Sequence, residues 1–325
     1  MYTLKALRKL YAKTLGESPV PPIVEGVDAE KASETISSLL NSDRPAMIGR
    51  FGATEMACIL NYISIQQGRP KFMKYLRGEV SDWWWNESIM NQMQRWSGFF
   101  PPTPAMLTKF CEMMLEDAKL IDVCGVFRTV EKGLHELAPY MNNPIFIPFH
   151  SFEPYTASNP WSKNLENKRV VIIHPFAELI VQQYARRTEL FDNKDVLPHF
   201  DLKIIKAVQS LGGVSSGFND WFRALDWMKE ELDKTDYDIC LIGCGAYGFP
   251  LAAHAKRTGH KAIHLAGSLQ LLFGIKGARW EKPDAGTLRG LPSDFYQRLF
   301  ANPAWVRPDK YKTEQSLKVE DACYW

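Results

Sequence analysis

Tyr237-Asp-Ile-Cys-Leu-Ile-Gly243-Cys-Gly245-Ala-Tyr-Gly248-Phe-Pro-Leu-Ala-Ala-His-Ala-Lys-Arg-Thr-Gly259-His-Lys-Ala-Ile-His-Leu-Ala-Gly267 reads as strand, glycine turn, helix, stop and second strand, in that order. Gly243, Gly245 and Gly248 occupy the spacing G-x-G-x-x-G, which lets a backbone turn tightly beneath a phosphate and presents the free amides of the following helix to it. Pro250 suits a first helical turn, and Gly259 suits the left-handed residue that ends a helix. Lys261 to Leu265 then read as the returning strand. The residues at the end of that strand carry equal information. A dinucleotide site places Asp or Glu there to bind ribose hydroxyls, whereas this chain has His264, Leu265, Ala266, Gly267 and Ser268. The loop therefore points to a nucleotide or a phosphate more than to NAD. The alternative is that the glycines serve only close helix–strand packing.

Working outward, buried-strand patterns recur at 45–50, 120–127, 145–149, 169–174, 202–208, 237–243 and 261–265, and most are followed by a helical pattern. This alternation predicts an α/β protein, Rossmann-like, with a mainly parallel sheet and helices on both faces. Ligands of such sheets bind beyond the carboxyl ends of the strands. Three strand ends are candidates: the glycine loop, the segment Ala46 to Glu55, and the segment Val170 to Glu178. An irregular connection is expected over 139–161. We divide the chain into an N-terminal helical arm (1–40), the sheet domain (41–285) and a C-terminal tail (286–325) packed on that domain, with a short helix near 293–300.

The 325 residues include 39 basic and 37 acidic side chains, a formal charge of +2, so no global electrostatic case for nucleic acid exists. Any anion site must be local. The six cysteines form no C-x-x-C pair, and several lie in apolar stretches, which points to reduced thiols and a cytoplasmic setting. Lys5, Arg8, Lys9 and Lys13 interrupt the first apolar segment, so neither a membrane span nor a secretion signal is expected there. Leu4, Leu7, Leu10, Tyr11 and Leu15 recur at helical spacing among those cations. Such a helix either packs on the protein or makes weak peripheral contact with the inner face of an anionic membrane.

With both glycine-bearing segments in view, the chain resembles the GT-D-type glycosyltransferases, a family first described as a domain of unknown function. That family has a strand followed by Arg-Phe-Gly-Asp-Gly-Glu, and here the segment is Arg50-Phe51-Gly52-Ala53-Thr54-Glu55. Its C-terminal pattern of strand, glycine turn, helix with Leu-Ala, Gly and an Ala-Ile strand corresponds to Ile242-Gly243, Leu251-Ala252, Gly259 and Ala262-Ile263. The resemblance runs in order from about residue 45 to about 280, loosely in the middle. It implies a nucleotide-sugar donor (a UDP-sugar above all), a glycan, glycopeptide or lipid-linked acceptor in bacterial surface-polysaccharide or glycoprotein synthesis, and a divalent metal (Mn²⁺ or Mg²⁺) near the acidic motif. The first acid of that motif is Ala53 here. Glu55 alone would hold such a metal, and more weakly.

Glu55 is accordingly the candidate catalytic base and tentative metal ligand, against the reading that a carboxylate simply suits a helix N-terminus. Candidate donor-binding residues are Arg50, Gly52, His174, Glu178, Gly243, Gly245, Tyr247, Gly248, Lys276 and Arg279. Arg50 either grips a phosphate or pairs with a structural carboxylate. His174 and Glu178 share a strand end, though capping by His174 and pairing of Glu178 with Arg186 or Arg187 are equally open. Lys276 and Arg279 could neutralise a leaving diphosphate, and Trp280 could stack on a base or sugar. Gly212 to Gly217 is either a lid or a plain connector. His254 is expected to be a packed or surface residue, and Trp83-Trp84-Trp85 to be core packing more than a sugar platform. Two other functions use the same loop: a nicotinamide-dependent oxidoreductase, which the missing ribose-binding acid disfavours, and a non-catalytic nucleotide-binding scaffold of a glycan assembly complex.

Overall fold

All seven apolar runs form strands: β1 (Ala46–Gly49), β2 (Val123–Val126), β3 (Ile145–Pro148), β4 (Arg169–His174), β5 (Asp201–Lys206), β6 (Ile239–Ile242) and β7 (Lys261–His264). They join in one sheet of order β3-β2-β1-β7-β6-β4-β5, and every neighbouring pair is parallel. The computed structural model describes residues 2–15, 21–70, 72–127, 130–210 and 216–312. Twelve α-helices occur among these: α1 (Tyr2–Leu15), α2 (Ala29–Asn41), α3 (Ala53–Gln67), α4 (Phe72–Leu76), α5 (Glu87–Arg95), α6 (Pro104–Ala118), α7 (Glu131–Leu137), α8 (Ala177–Ala185), α9 (Trp221–Asp233), α10 (Gly248–Arg257), α11 (Leu269–Leu272) and α12 (Phe295–Phe300). The Rossmann-like α/β architecture expected from the sequence is the one observed.

Strand side chains alternate between two cores, as a period of two requires. Met47, Cys124, Val171, Ile173, Cys240 and Ile242 face the layer that holds α3, α6, α7, α9 and α10. Ile48, Val123, Val170, Ile172, Leu241 and Ile263 face the layer of α2, α8, α11 and α12. Right-handed crossovers explain the assignment. Connections running toward the β3 edge place their helices on the first face, and connections running toward the β5 edge place them on the second. The two directions diverge between β6 and β4. The β6 crossover leads through α10 to β7 on one side, while the β4 crossover leads through α8 to β5 on the other. A crevice opens at such a point, above the carboxyl ends of both strands.

Local chemistry sets the helix starts. Asp28, Asn86, Thr103 and Asp220 accept hydrogen bonds from the first-turn amides of α2, α5, α6 and α9, each cap stabilising by about 1 kcal/mol. Gly259 takes a φ of +89° just past α10, the left-handed stop read from the sequence. α2 buries Ala32, Ile36 and Leu40 against the sheet core, and the tail buries Tyr296, Ala304 and Trp305 in the same layer. α1 engages the body of the protein through Arg8 Nη1 to the Val80 carbonyl (3.0 Å) and Lys5 to Asp82 (3.2 Å), while Leu7 and Leu10 stay exposed. No helix among the described residues is long and apolar enough to cross a membrane.

Trp83 to Trp85 precede α5 in a non-helical bend. Trp83 packs edge-on against Tyr75 and Trp84, and Trp85 lies on the main core, in keeping with packing. His254 pairs with Asp233 at 2.7 Å. Five cysteines are described, and all are free and buried.

Candidate functional site

A cavity of about 950 Å³ lies where the crevice was expected, above the carboxyl ends of β1, β7, β6 and β4. Both motif segments reach it. Arg50, Gly52 and Glu55 line it from the β1 side, Gly243, Gly245 and Tyr247 from the glycine turn, His174 from β4, and Arg279 from the chain after β7. The N-terminal turn of α3 also borders the space, so its free amides favour an anion there.

The glycine turn is built by three distinct constraints. A Cβ on Gly243 would meet the Ala266 carbonyl oxygen and the His174 ring, both at 2.7 Å. Gly245 has open space around it but a φ of +60°, which disfavours a side chain through backbone strain. Gly248 is different from what the sequence suggested. It does not line the cavity; its backbone supports the His264 ring, which an added Cβ would approach to 2.0 Å. Gly248→Val is therefore expected to expel His264 and destabilise the fold by about 3 kcal/mol, whereas Gly245→Ala costs about 1 kcal/mol. Urea denaturation of the two variants checks this, and equal losses would contradict it.

Glu55 sits on the first turn of α3, and its carboxylate folds back over the N-cap residue Gly52. A Cβ on Gly52 would lie 1.7 Å from Glu55 Oε2, so glycine there is what makes room for the carboxylate. Arg50 is held over Phe127 and Phe149, 5.5 and 5.2 Å from their ring centres, and donates from Nη1 to the Phe51 carbonyl at 3.2 Å. Tyr247 stacks on Trp221 at 4.8 Å, and its hydroxyl meets Ser210 Oγ at 3.1 Å. The phenol forms a wall, and burial raises its pKa.

Three further candidates fall elsewhere. Glu178 is half-exposed outside the cavity, bound to Lys206 (2.7 Å) and the Tyr311 hydroxyl (2.9 Å), and the Lys206 contact holds its carboxyl down at about 2. Its partner is thus neither Arg186 nor Arg187. Lys276 does not line the cavity and lies over the Phe300 ring at 6.0 Å. Trp280, 2% exposed, is packed in the second core and offers no face to a ligand. Gly212 to Ser215 of the segment read as a lid lie outside the described residues; Val208, Gln209 and Ser210 just before it line the cavity.

Two histidines and residues that carry no sequence signal complete the wall. His264 ends β7 where a dinucleotide site would have its carboxylate. Burial, then the nearby Arg50, lower its pKa to about 3, and Nδ1 has no hydrogen-bond partner among the described residues. His174 is likewise lowered to about 3 by burial. The tail brings Thr287, Leu288, Arg289 and Gly290 to the rim. Arg289 is placed there by the Ala285 carbonyl (2.8 Å) and by the Tyr296 ring at 5.5 Å, whose hydroxyl donates to the buried Glu153 at 2.8 Å. His150 lies beside it, its pKa lowered by burial and by Arg289. Trp96, at 39% exposure, offers an indole to the cavity. Among the described charged residues lining the space, three arginines face one glutamate, a formal excess of two positive charges.

Among the described residues no group of three or more His, Cys, Asp or Glu side chains could hold a metal ion. The donor set at Glu55 is a single carboxylate, short of what a resident divalent ion requires. No family model matches the chain, and neither a curated protein nor a solved structure shows significant similarity to it.

Proposed function

We propose that the protein is a glycosyltransferase that takes a nucleotide-diphosphate sugar as donor, a UDP-sugar in the first instance, and a glycan, glycopeptide or lipid-linked hydroxyl as acceptor. One observation carries the reading. The two segments that resemble the GT-D-type motifs, Arg50 to Glu55 and the unit from Ile242-Gly243 through Ala262-Ile263, are far apart in the chain, yet the first and the glycine turn of the second meet at one cavity at the sheet's switch point. The volume of that cavity suits a ligand of this size, and the positive excess suits a diphosphate.

In this reading the diphosphate lies on the glycine turn, with Arg50 and Arg279 neutralising it, and Trp96 supplies an aromatic face for the base or a sugar. The acceptor oxygen bonds to the anomeric carbon and its proton passes to the Glu55 carboxylate. The bond from that carbon to the diphosphate oxygen breaks, and the nucleoside diphosphate leaves with the electron pair. The arginines supply the charge stabilisation that a metal supplies elsewhere. A Mn²⁺ or Mg²⁺ ion could still arrive with the donor, with Glu55 as its protein ligand and diphosphate oxygens and water completing the set; no step above requires it.

A thermal-shift panel of UDP, GDP, ADP and CDP and their sugars, with and without Mn²⁺, tests the proposal. Ligand at a hundred times its dissociation constant adds about 2.7 kcal/mol of stability, a shift of several degrees. Stabilisation by NADH and by none of these nucleotides would favour the oxidoreductase alternative. Binding without sugar transfer would favour the scaffold.

A further inference from the structure

His174 occupies the switch point, at the end of β4, and its ring is fixed from two sides. Nδ1 lies 3.0 Å from the backbone amide of Phe176, the residue immediately before α8. An amide N–H can only donate, so Nδ1 is the bare acceptor nitrogen and the ring proton of the neutral imidazole resides on Nε2. The ring edge that carries Cδ2, the atom bonded to Nε2, abuts the glycine turn, because a Cβ on Gly243 would fall 2.7 Å from Cδ2. No charged partner is responsible for the ring's neutrality; burial is its cause, with the side chain 2% exposed and lining the cavity. The protein thus sets a neutral N–H, of known tautomer, beside the turn whose amides attract a phosphate.

We infer that His174 donates a hydrogen bond from Nε2 to an oxygen of the diphosphate seated on the Gly243–Gly245 turn, acting as a fixed donor and not as a base. The inference rests on the nucleotide-diphosphate reading above and deepens it. A donor of this kind costs nothing to reorganise as charge develops on the leaving group, and its proton is retained throughout. The two ring nitrogens have separate tasks: Nδ1 accepts from the Phe176 amide and fixes the turn into α8, and Nε2 faces the ligand.

Those tasks can be separated by substitution. Asn at 174 keeps a polar group near the Nδ1 position and loses the Nε2 donor; Gln places an amide near the Nε2 position and loses the bond to the Phe176 amide. Binding is measured with the tightest of UDP, GDP, ADP and CDP, with the corresponding nucleoside as control. His174→Asn is expected to melt like the wild type and to lose about 10- to 100-fold in nucleoside diphosphate affinity, the nucleoside being unaffected, and His174→Gln to retain most of the affinity at lower stability. Nitrogen-15 spectra of histidine-labelled wild type are expected to show the His174 proton on Nε2 from pH 5 to 8, moving when the diphosphate is added and not when the nucleoside is. A proton on Nδ1, titration of the ring near its ordinary value, or wild-type diphosphate affinity in His174→Asn each overturns the inference. If the tautomer is as described and none of the four diphosphates binds, the nucleotide reading of the cavity fails and this donor role with it.

Discussion

Glu55→Gln lowers kcat by about 10²- to 10⁴-fold while donor affinity changes little, the result expected when a carboxylate takes the acceptor's proton. The substitution preserves shape, and Gln retains an oxygen above Gly52, so the fold and the start of α3 should persist. Steady-state transfer assays with binding measured separately distinguish the roles. If the carboxylate served only as a ligand to a donor-borne ion, affinity in Mn²⁺ would fall together with turnover. Full activity in the variant would remove Glu55 from the chemistry and leave it a helix-terminus residue.

A second large effect concerns acid. His174 and His264 are both held neutral in the folded protein down to about pH 3, whereas in the unfolded chain each takes up a proton near 6.5. Their folded pKa values are depressed, so the stability they contribute is fully present above pH 6.5 and is lost as pH falls toward 3. At pH 4.5, two units below the unfolded value, each costs about 2.7 kcal/mol, and the pair about 5 kcal/mol. That is comparable with the whole stability of many domains. Urea denaturation at pH 7.0 and 4.5 measures the loss, and His264→Asn should reduce it by about 2 to 3 kcal/mol, since the substituted side chain cannot titrate. Identical pH dependence in variant and wild type would show that His264 takes up protons as freely folded as unfolded.

Much of the fold was legible because its causes are local. The run Arg169 to His174 forms β4 to the residue, since Val170 to Ile173 are buried alternately in the two cores, between the edge at Arg169 and the cavity at His174. Boundaries slip where pairing ends before apolarity does. The run read as 202–208 ends as a strand at Lys206, beyond which Ala207 makes a last bond to the His174 carbonyl and the chain turns toward the cavity. At the site, Arg50, Gly52, Glu55, His174, Gly243, Gly245, Tyr247 and Arg279 do line the cavity, because the end of a parallel strand and the turn after it face the crevice by construction.

The alternation of strand and helix, the tight turn at Gly243 to Gly248 and the stop at Gly259 follow from hydrophobic period and backbone sterics within a few residues. Which side chains share the cavity depends instead on packing between distant segments. Glu178 turned to Lys206 and Tyr311, and Gly248 went beneath His264, because side-chain direction depends on what packs against it. Arg289 reached the rim because a buried Glu153 and Tyr296 hold the returning tail in place, a contact between residues 143 positions apart that no local pattern encodes.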